Sequence, residues 1–154
     1  MRQVCTLAII EDGDRALLAM KKRGFGEGWW NGYGGKVQEG EDIETAMVRE
    51  LEEESGLIAR KFGKRAVLEF FFQGTDKEVE MHVFEVTDYD GEPVETEEMK
   101  PQWFEKSEIP FDKMWPADRD WMPLYFDGKN ITGSAIFDGE TKAFIKSDFK
   151  ATEK

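Results

Sequence analysis

GGKVQEGEDIETAMVRELEEESGL, residues 34–57, is the stretch on which the reading of this chain turns. Its centre, 42–55, predicts a helix closed by Gly56 in the C′ position with Leu57 behind it. At about 100° per residue, Ile43, Ala46 and Met47 mark the stripe that faces a sheet. Continuing that stripe lands on Glu50, Glu53 and Glu54, while Glu52 falls on the opposite side. In an ordinary Glu-rich segment such residues simply solvate a surface helix. Here they oppose the helix dipole, and the i,i+4 pair Glu50/Glu54 repels itself, each effect costing about a few tenths of a kcal/mol. Arg49 lies about 100° round from Glu50, so a hard divalent cation held by carboxylate oxygens is the better counter-charge.

The rest of the chain narrows the choice. With one His and one Cys in 154 residues, zinc or copper is poorly supplied, whereas carboxylates, a backbone carbonyl and water suit Mg²⁺ or Mn²⁺. Cys5 has no partner for an internal disulfide, which fits a reducing compartment. The apolar run VCTLAII after Arg2 is too short for a secretory leader or a membrane span, so a cytoplasmic protein is expected. Thirty-three acids against 21 bases, a formal net charge of −12, disfavour polymeric nucleic acid and anionic membranes as partners. A small anion still binds wherever cations or backbone donors reverse that field locally.

The length suits one domain spanning 1–154, with no repeat, linker or low-complexity tract. VCTLAII (4–10) and RALLAM (15–20) flank a hairpin signal at Asp12-Gly13; AVLEFFFQ (66–73) and VEMHVFEV (79–86) form a second strand pair. KPQWFE (100–105) is a further strand, and ITGSAIF with TKAFIK around Asp138-Gly139 is a last hairpin. A second helix is predicted to start near Trp115-Pro116. The pattern is α+β, an α/β/α sandwich with helices on a central mixed sheet.

Gly35, Glu41 and the run Arg49-Glu50-Leu51-Glu52-Glu53-Glu54-Ser55-Gly56-Leu57 match the Nudix box, G-x₅-E-x₇-R-E-U-x-E-E-x-G-U, at every specified position. The chain thus resembles the Nudix hydrolases, whose box forms a loop, helix and loop that binds divalent metal on a substrate pyrophosphate. That resemblance implies metal ligation by Glu50, Glu53 and Glu54, with a carbonyl of the Gly34-Gly35 turn nearby, and an orienting role for Arg49. The stretches MKKRGFGEGWWNGYGGKVQEGE, EMKPQWF and IPFDKMWPADRDWMP further resemble the animal MutT-type branch of the family, hydrolases of oxidised purine nucleoside triphosphates. By that resemblance Thr6, Lys21, Phe25, Asn31, Tyr33, Gly34, Gly35, Lys36, Phe70, Phe72, Trp115, Asp118 and Phe137 contact the nucleotide, and Glu98 is an additional acid near the metals.

Several of these residues have plainer readings that the sequence leaves open. Trp115 offers a face for a purine, yet a Trp beside Pro is also ordinary core. Asn31 presents donor and acceptor to a base edge or serves as a turn residue, and Asp118 accepts from guanine-type N–H groups or stabilises a first helical turn. Lys21, Lys22 and Arg23 lie near phosphate or are solvated; His82 is expected to be packed rather than catalytic. One departure stands out: Ala117-Asp118 replaces two adjacent aspartates after Trp-Pro. Asp118 alone is then expected to be ionised and only to accept, with Asp120 a candidate substitute for the missing acid.

The function implied is Mg²⁺-dependent conversion of an oxidised or modified purine triphosphate (8-oxo-dGTP, 2-oxo-dATP type) to monophosphate and pyrophosphate by a monomer. The alternatives are a Nudix hydrolase of another nucleoside diphosphate derivative, and a catalytically silent nucleotide-binding module.

Overall fold

A computed structural model describes residues 1–24 and 26–154. Phe25, one of the residues expected at the nucleotide, lies outside the described residues. The strands are β1 (Arg2–Asp12), β2 (Arg15–Lys21), β3 (Trp30–Asn31), β4 (Tyr33–Lys36), β5 (Ile58–Gln73), β6 (Glu78–Asp90), β7 (Met99–Glu105), β8 (Lys129–Asp138) and β9 (Phe144–Glu153). Two helices, α1 (Ile43–Ser55) and α2 (Asp118–Phe126), accompany them.

The strands join in one mixed sheet, ordered β3-β2-β1-β6-β5-β8-β9. β1/β6 and β5/β8 run parallel and the other pairs antiparallel. β1 is the pivot. Its second half pairs with β2 through Ile10↔Leu17, and its first half pairs with β4 through Thr6↔Gly35 and Ala8↔Tyr33. The split leaves a slot through which the glycine turn enters the sheet.

Alternation along β1 sends its side chains to two cores. Leu7 and Ile9 join Leu68, Val83, Trp121 and Tyr125 on the α2 side. Ala8 and Ile10 join Tyr33, Met47, Leu51 and Phe84 on the α1 side. A helix covering each face of a mixed sheet is the α+β sandwich the strand pattern predicted. The hairpins at Asp12-Gly13, between β5 and β6, and between β8 and β9 all form.

Several details differ from the sequence reading: β5 begins at Ile58 rather than at 66, and the last strand runs over Phe144–Glu153 rather than over TKAFIK (141–146). α2 begins at Asp118 rather than at Pro116, because Pro116 and Ala117 sit in the preceding turn, where Asp118 N–H bonds Trp115 O at 2.9 Å. The apolar stripe of α1 does not end at Met47: Leu51 is 1% exposed and Ser55 is also buried. The glutamates therefore line the flank of that stripe, against β4, instead of replacing it.

Candidate active site

The ends of α1 are fixed locally. Asp42 Oδ1 caps Thr45 N–H at 2.8 Å, and Gly56 takes φ 81° while its N–H bonds Glu52 O at 2.9 Å. The last turn is thereby held over the glycine turn of β4. Gly34 N–H donates to Glu54 Oε1 at 2.9 Å. A Cβ on Gly34 would collide with the Thr6 backbone carbonyl, so glycine is required there, whereas one on Gly35 would displace the Glu50 carboxylate from its place over the turn.

Arg49 is the hub of the acids. It forms a bidentate pair with Glu41 (Nε–Oε2 2.7 Å, Nη2–Oε1 3.0 Å), and Nη1 reaches Glu50 Oε1 at 3.0 Å and Glu53 Oε2 at 3.2 Å. Nη2 also donates to Lys36 O at 3.2 Å. The offset of about 100° that makes Arg49 the weaker candidate counter-charge for Glu50 is spanned by its long side chain, which pairs with Glu50 directly. The bidentate contact holds Glu41 below the usual carboxylate range.

Glu54 is the odd member. Burial, then the charge of Glu50, raise its pKa to about 7, against the pull of the Gly34 N–H. Among the described residues no three Asp, Glu, His or Cys side chains are already gathered into a group able to hold a metal ion; Arg49 holds Glu50 and Glu53 instead. The donor chemistry nonetheless fits a hard cation. All the nearby donors are carboxylate or carbonyl oxygens, and Glu54 is a half-buried acid beside a second one, which a cation would relieve. His82, the sole histidine, is buried as expected and tied through Nε2 to Glu80 at 2.6 Å.

On the opposite face of the sheet lies a cleft of about 230 Å³. Asn31, Phe70, Phe72, Trp115, Asp118 and Phe137 of the predicted set line it together. Trp115 packs against Trp29 (centroids 5.8 Å apart) and edge-on to Phe137 (6.1 Å), and Phe72 stacks on Phe137 at 5.7 Å. Asn31 Oδ1 accepts from Gly32 N–H at 2.9 Å, so its turn role is real and its NH₂ is the group left to face a ligand.

Asp118 is buried; Oδ1 accepts from Trp121 Nε1 at 3.0 Å, and Oδ2 has no partner among the described residues. Burial pushes its pKa up to about 7, only partly opposed by the Trp121 bond. The expectation of a fully ionised acceptor is corrected: near neutrality Asp118 is present in both forms, so it also donates. Asp120 does not substitute for the missing acid, because it is exposed and accepts from Ser147 Oγ at 2.7 Å.

The remaining predicted residues lie elsewhere. Thr6 and Tyr33 are buried on the α1 side of the sheet, outside the cleft wall, each with a hydroxyl lacking a partner among the described residues. Tyr33 is a core residue whose hydroxyl is pushed well above its usual range by burial and Glu54. Lys36 is exposed, in register with the cleft residue Cys5. Glu98 is exposed and engaged by Arg23 (Nε–Oε1 2.8 Å) rather than brought to the box glutamates. Arg23 and Lys22 are thus ion-pair partners of Glu98 and Glu95, and of the basic cluster Lys21 has no carboxylate partner among the described residues. Lys21 is half-buried, and its charge reaches both Glu54 and Glu98. Sequence reasoning missed Cys5, Leu7, Leu68, Lys77, Val79, Met81 and Trp121 on the cleft wall; the alternation of β1, β5 and β6 pointed to the strand residues among them, and no local signal to Lys77 in the hairpin turn or Trp121 on α2.

A sheet split at β1 by a glycine turn, with the glutamate flank of a helix laid over that turn, defines one class of protein, the Nudix hydrolases. Residues 1–125 match the NUDIX domain, and the chain belongs to that family. It is 47% identical over 137 residues to a Danio rerio protein named oxidized purine nucleoside triphosphate hydrolase, covering 89% of this chain and 88% of the relative. A Mus musculus protein of the same name is 47% identical over 132 residues, 86% and 85% of the two chains. Among solved structures, a MutT protein from Bacillus halodurans superposes with a TM-score of 0.82 at 25% identity, covering 96% of this chain and 97% of that one.

Proposed function

We propose that this Nudix hydrolase converts oxidised or modified purine nucleoside triphosphates, of the 8-oxo-dGTP and 2-oxo-dATP type, to monophosphate and pyrophosphate, and so cleanses the nucleotide pool. The observation that carries this reading is the aromatic cleft floored by Asp118 and flanked by Asn31, across β1 from the α1 glutamates Glu50 and Glu54 that lie over the β4 glycine turn. The names of the Danio rerio and Mus musculus relatives support the substrate class. Nudix hydrolases generally act with a divalent metal, and Mg²⁺, with Mn²⁺ as a substitute, is the ion proposed here.

Glu50, Glu53, Glu54 and a carbonyl of Gly34 or Gly35 are the groups that would hold the cation. When bound, it supplies neutralisation of phosphate charge and a more acidic water. Arg49 aims Glu50 and Glu53. Glu53, whose side chain is 58% exposed, is one proposed acceptor of a proton from water, and Glu98, once released from Arg23, is the other. Trp115 stacks the purine, Phe70, Phe72 and Phe137 exclude water around it, and the Asn31 NH₂ and Asp118 carboxyl read its edge. Lys21 and Lys36 counter phosphate charge, while Thr6 and Tyr33 act from beneath the site. The protein is proposed to work as a cytoplasmic monomer on free nucleotides; its net charge of −12 supports avoidance of polymeric nucleic acid and anionic membranes. No helix among the described residues is long and apolar enough to cross a membrane.

A substrate panel at fixed Mg²⁺ tests the proposal. The highest kcat/KM is expected for oxidised purine triphosphates. Turnover confined to a nucleoside diphosphate sugar or a dinucleotide would move the chain to another branch of the family. Tight binding with no pyrophosphate release would make it a silent binding module.

A further inference from the structure

Lys77 closes the hairpin between β5 and β6, and nothing in the site described above uses it. Its backbone is fixed: Lys77 O accepts from Phe72 N–H at 3.3 Å, and Lys77 N–H donates to Thr75 Oγ1 at 3.1 Å. Its side chain lies along the cleft wall, with Nζ 5.1 Å from the centroid of the Phe72 ring. Among the described residues lining the cleft it is the only cationic one.

In a chain of net charge −12, most well-placed cations find a carboxylate. Lys77 has neither a carboxylate nor a carbonyl acceptor for its ammonium among the described residues, whereas Lys142, 5.3 Å from the same ring, is tied to Gly139 O. Solvated lysines on a turn are commonplace, but this one is laid over an aromatic wall of a ligand-sized cleft. Its direction follows from the neighbours of Cys5. That thiol, on the same wall, lies within the fields of Lys77, of Lys36 and of Glu50. Lys36 faces Cys5 in the sheet, and Lys77 directly precedes Glu78, which faces Arg2, so both cations stand at the end of the sheet where β1 begins. A purine seated against Trp115 with its sugar and phosphates running toward that end would bring them to Lys77.

We propose that Lys77 is a nucleotide-binding residue that contacts the phosphate-bearing part of the ligand, making the cleft select nucleotides over nucleosides. This rests on the nucleotide reading given above. Replacing Lys77 then removes a charge-assisted contact that a nucleoside never makes. A merely structural lysine, propping Phe72, would serve every ligand of the cleft alike.

The test measures dissociation constants for a purine nucleoside and its 5′-monophosphate, without turnover, on the wild-type protein, Lys77→Met and Lys77→Arg. At low salt Lys77→Met is expected to weaken monophosphate binding about 10-fold while leaving the nucleoside within about 2-fold, as for one lost charge-assisted bond. Lys77→Arg is expected to keep the wild-type discrimination. Equal losses for nucleoside and monophosphate, or no loss for either, would overturn the proposal. A wild-type protein that binds neither ligand would overturn the nucleotide reading, and this inference with it.

Discussion

Gly34 and Glu54, twenty residues apart in sequence, are joined by a hydrogen bond of 2.9 Å from the glycine N–H to Oε1. The bond links the only half-buried glutamate of the last α1 turn to the strand that splits the sheet, and it is the favourable contact that Glu54 retains against its own burial and the charge of Glu50. Glu54 is therefore held in place at an electrostatic cost, the situation expected of a residue kept for chemistry rather than stability.

Glu54→Gln is accordingly predicted to lower kcat by more than about 100-fold, the scale beyond which a metal ligand rather than its supporting shell has been lost. The amide oxygen still accepts from Gly34, and the repulsion with Glu50 disappears, so the metal-free melting temperature should hold or rise. Calorimetry and steady-state kinetics check both halves; a lowered melting temperature with retained activity would contradict the assignment.

Asp118 makes stability depend on pH. Its pKa is raised from 3.8 to about 7 by burial, so between those values the folded state binds more protons than the unfolded state. Stability contributed by the protonated form is thus lost as pH rises from about 4 through about 7, by on the order of a few kcal/mol. Asp118→Asn keeps an oxygen for the Trp121 indole and should flatten that limb. Denaturant melts of both proteins across the range decide it, and parallel profiles would mean that Asp118 is ionised throughout.

Trp115→Ala should raise KM for purine triphosphates by about 10- to 100-fold, the equivalent of ~1–3 kcal/mol of base stacking. The ring is half-buried, with cleft on one side and Trp29 and Phe137 on others. A large fall in melting temperature with unchanged KM would make it a packing residue.

Ala117 is buried and lines the cleft beside Asp118. Ala117→Asp would place two carboxyls where both cannot readily ionise, so they share a proton and together offer donor and acceptor over a wider pH range. The accepted bases should widen toward oxidised adenine, by ~1–3 kcal/mol in relative kcat/KM. An unchanged ratio of oxidised guanine to oxidised adenine turnover would show that residue 117 does not meet the base.

Much of this was legible in the sequence because it depends on local chemistry. The spacing from Gly35 to Leu57 fixed the helix, its closure at Gly56 and its acidic flank, and the Asp12-Gly13 signal placed the first hairpin. What was not legible depends on long-range packing. Leu51 stands at i+8 from Ile43 and continues the apolar stripe by ordinary helical spacing; what periodicity does not reveal is the position of β4, which gives the glutamates a flank to occupy. Arg23 goes to Glu98, 75 residues away, because β2 and β7 pair beside them. The partial protonation of Asp118 follows from complete burial, which its place next to a Trp-Pro turn does not announce.

The most direct test of the central claim is to identify the products formed from 8-oxo-dGTP with Mg²⁺ present. The account predicts the monophosphate and inorganic pyrophosphate in equal amounts, stopped by a chelator and restored by Mg²⁺ or Mn²⁺. Release of orthophosphate with the diphosphate, or activity restored only by Zn²⁺, would contradict it.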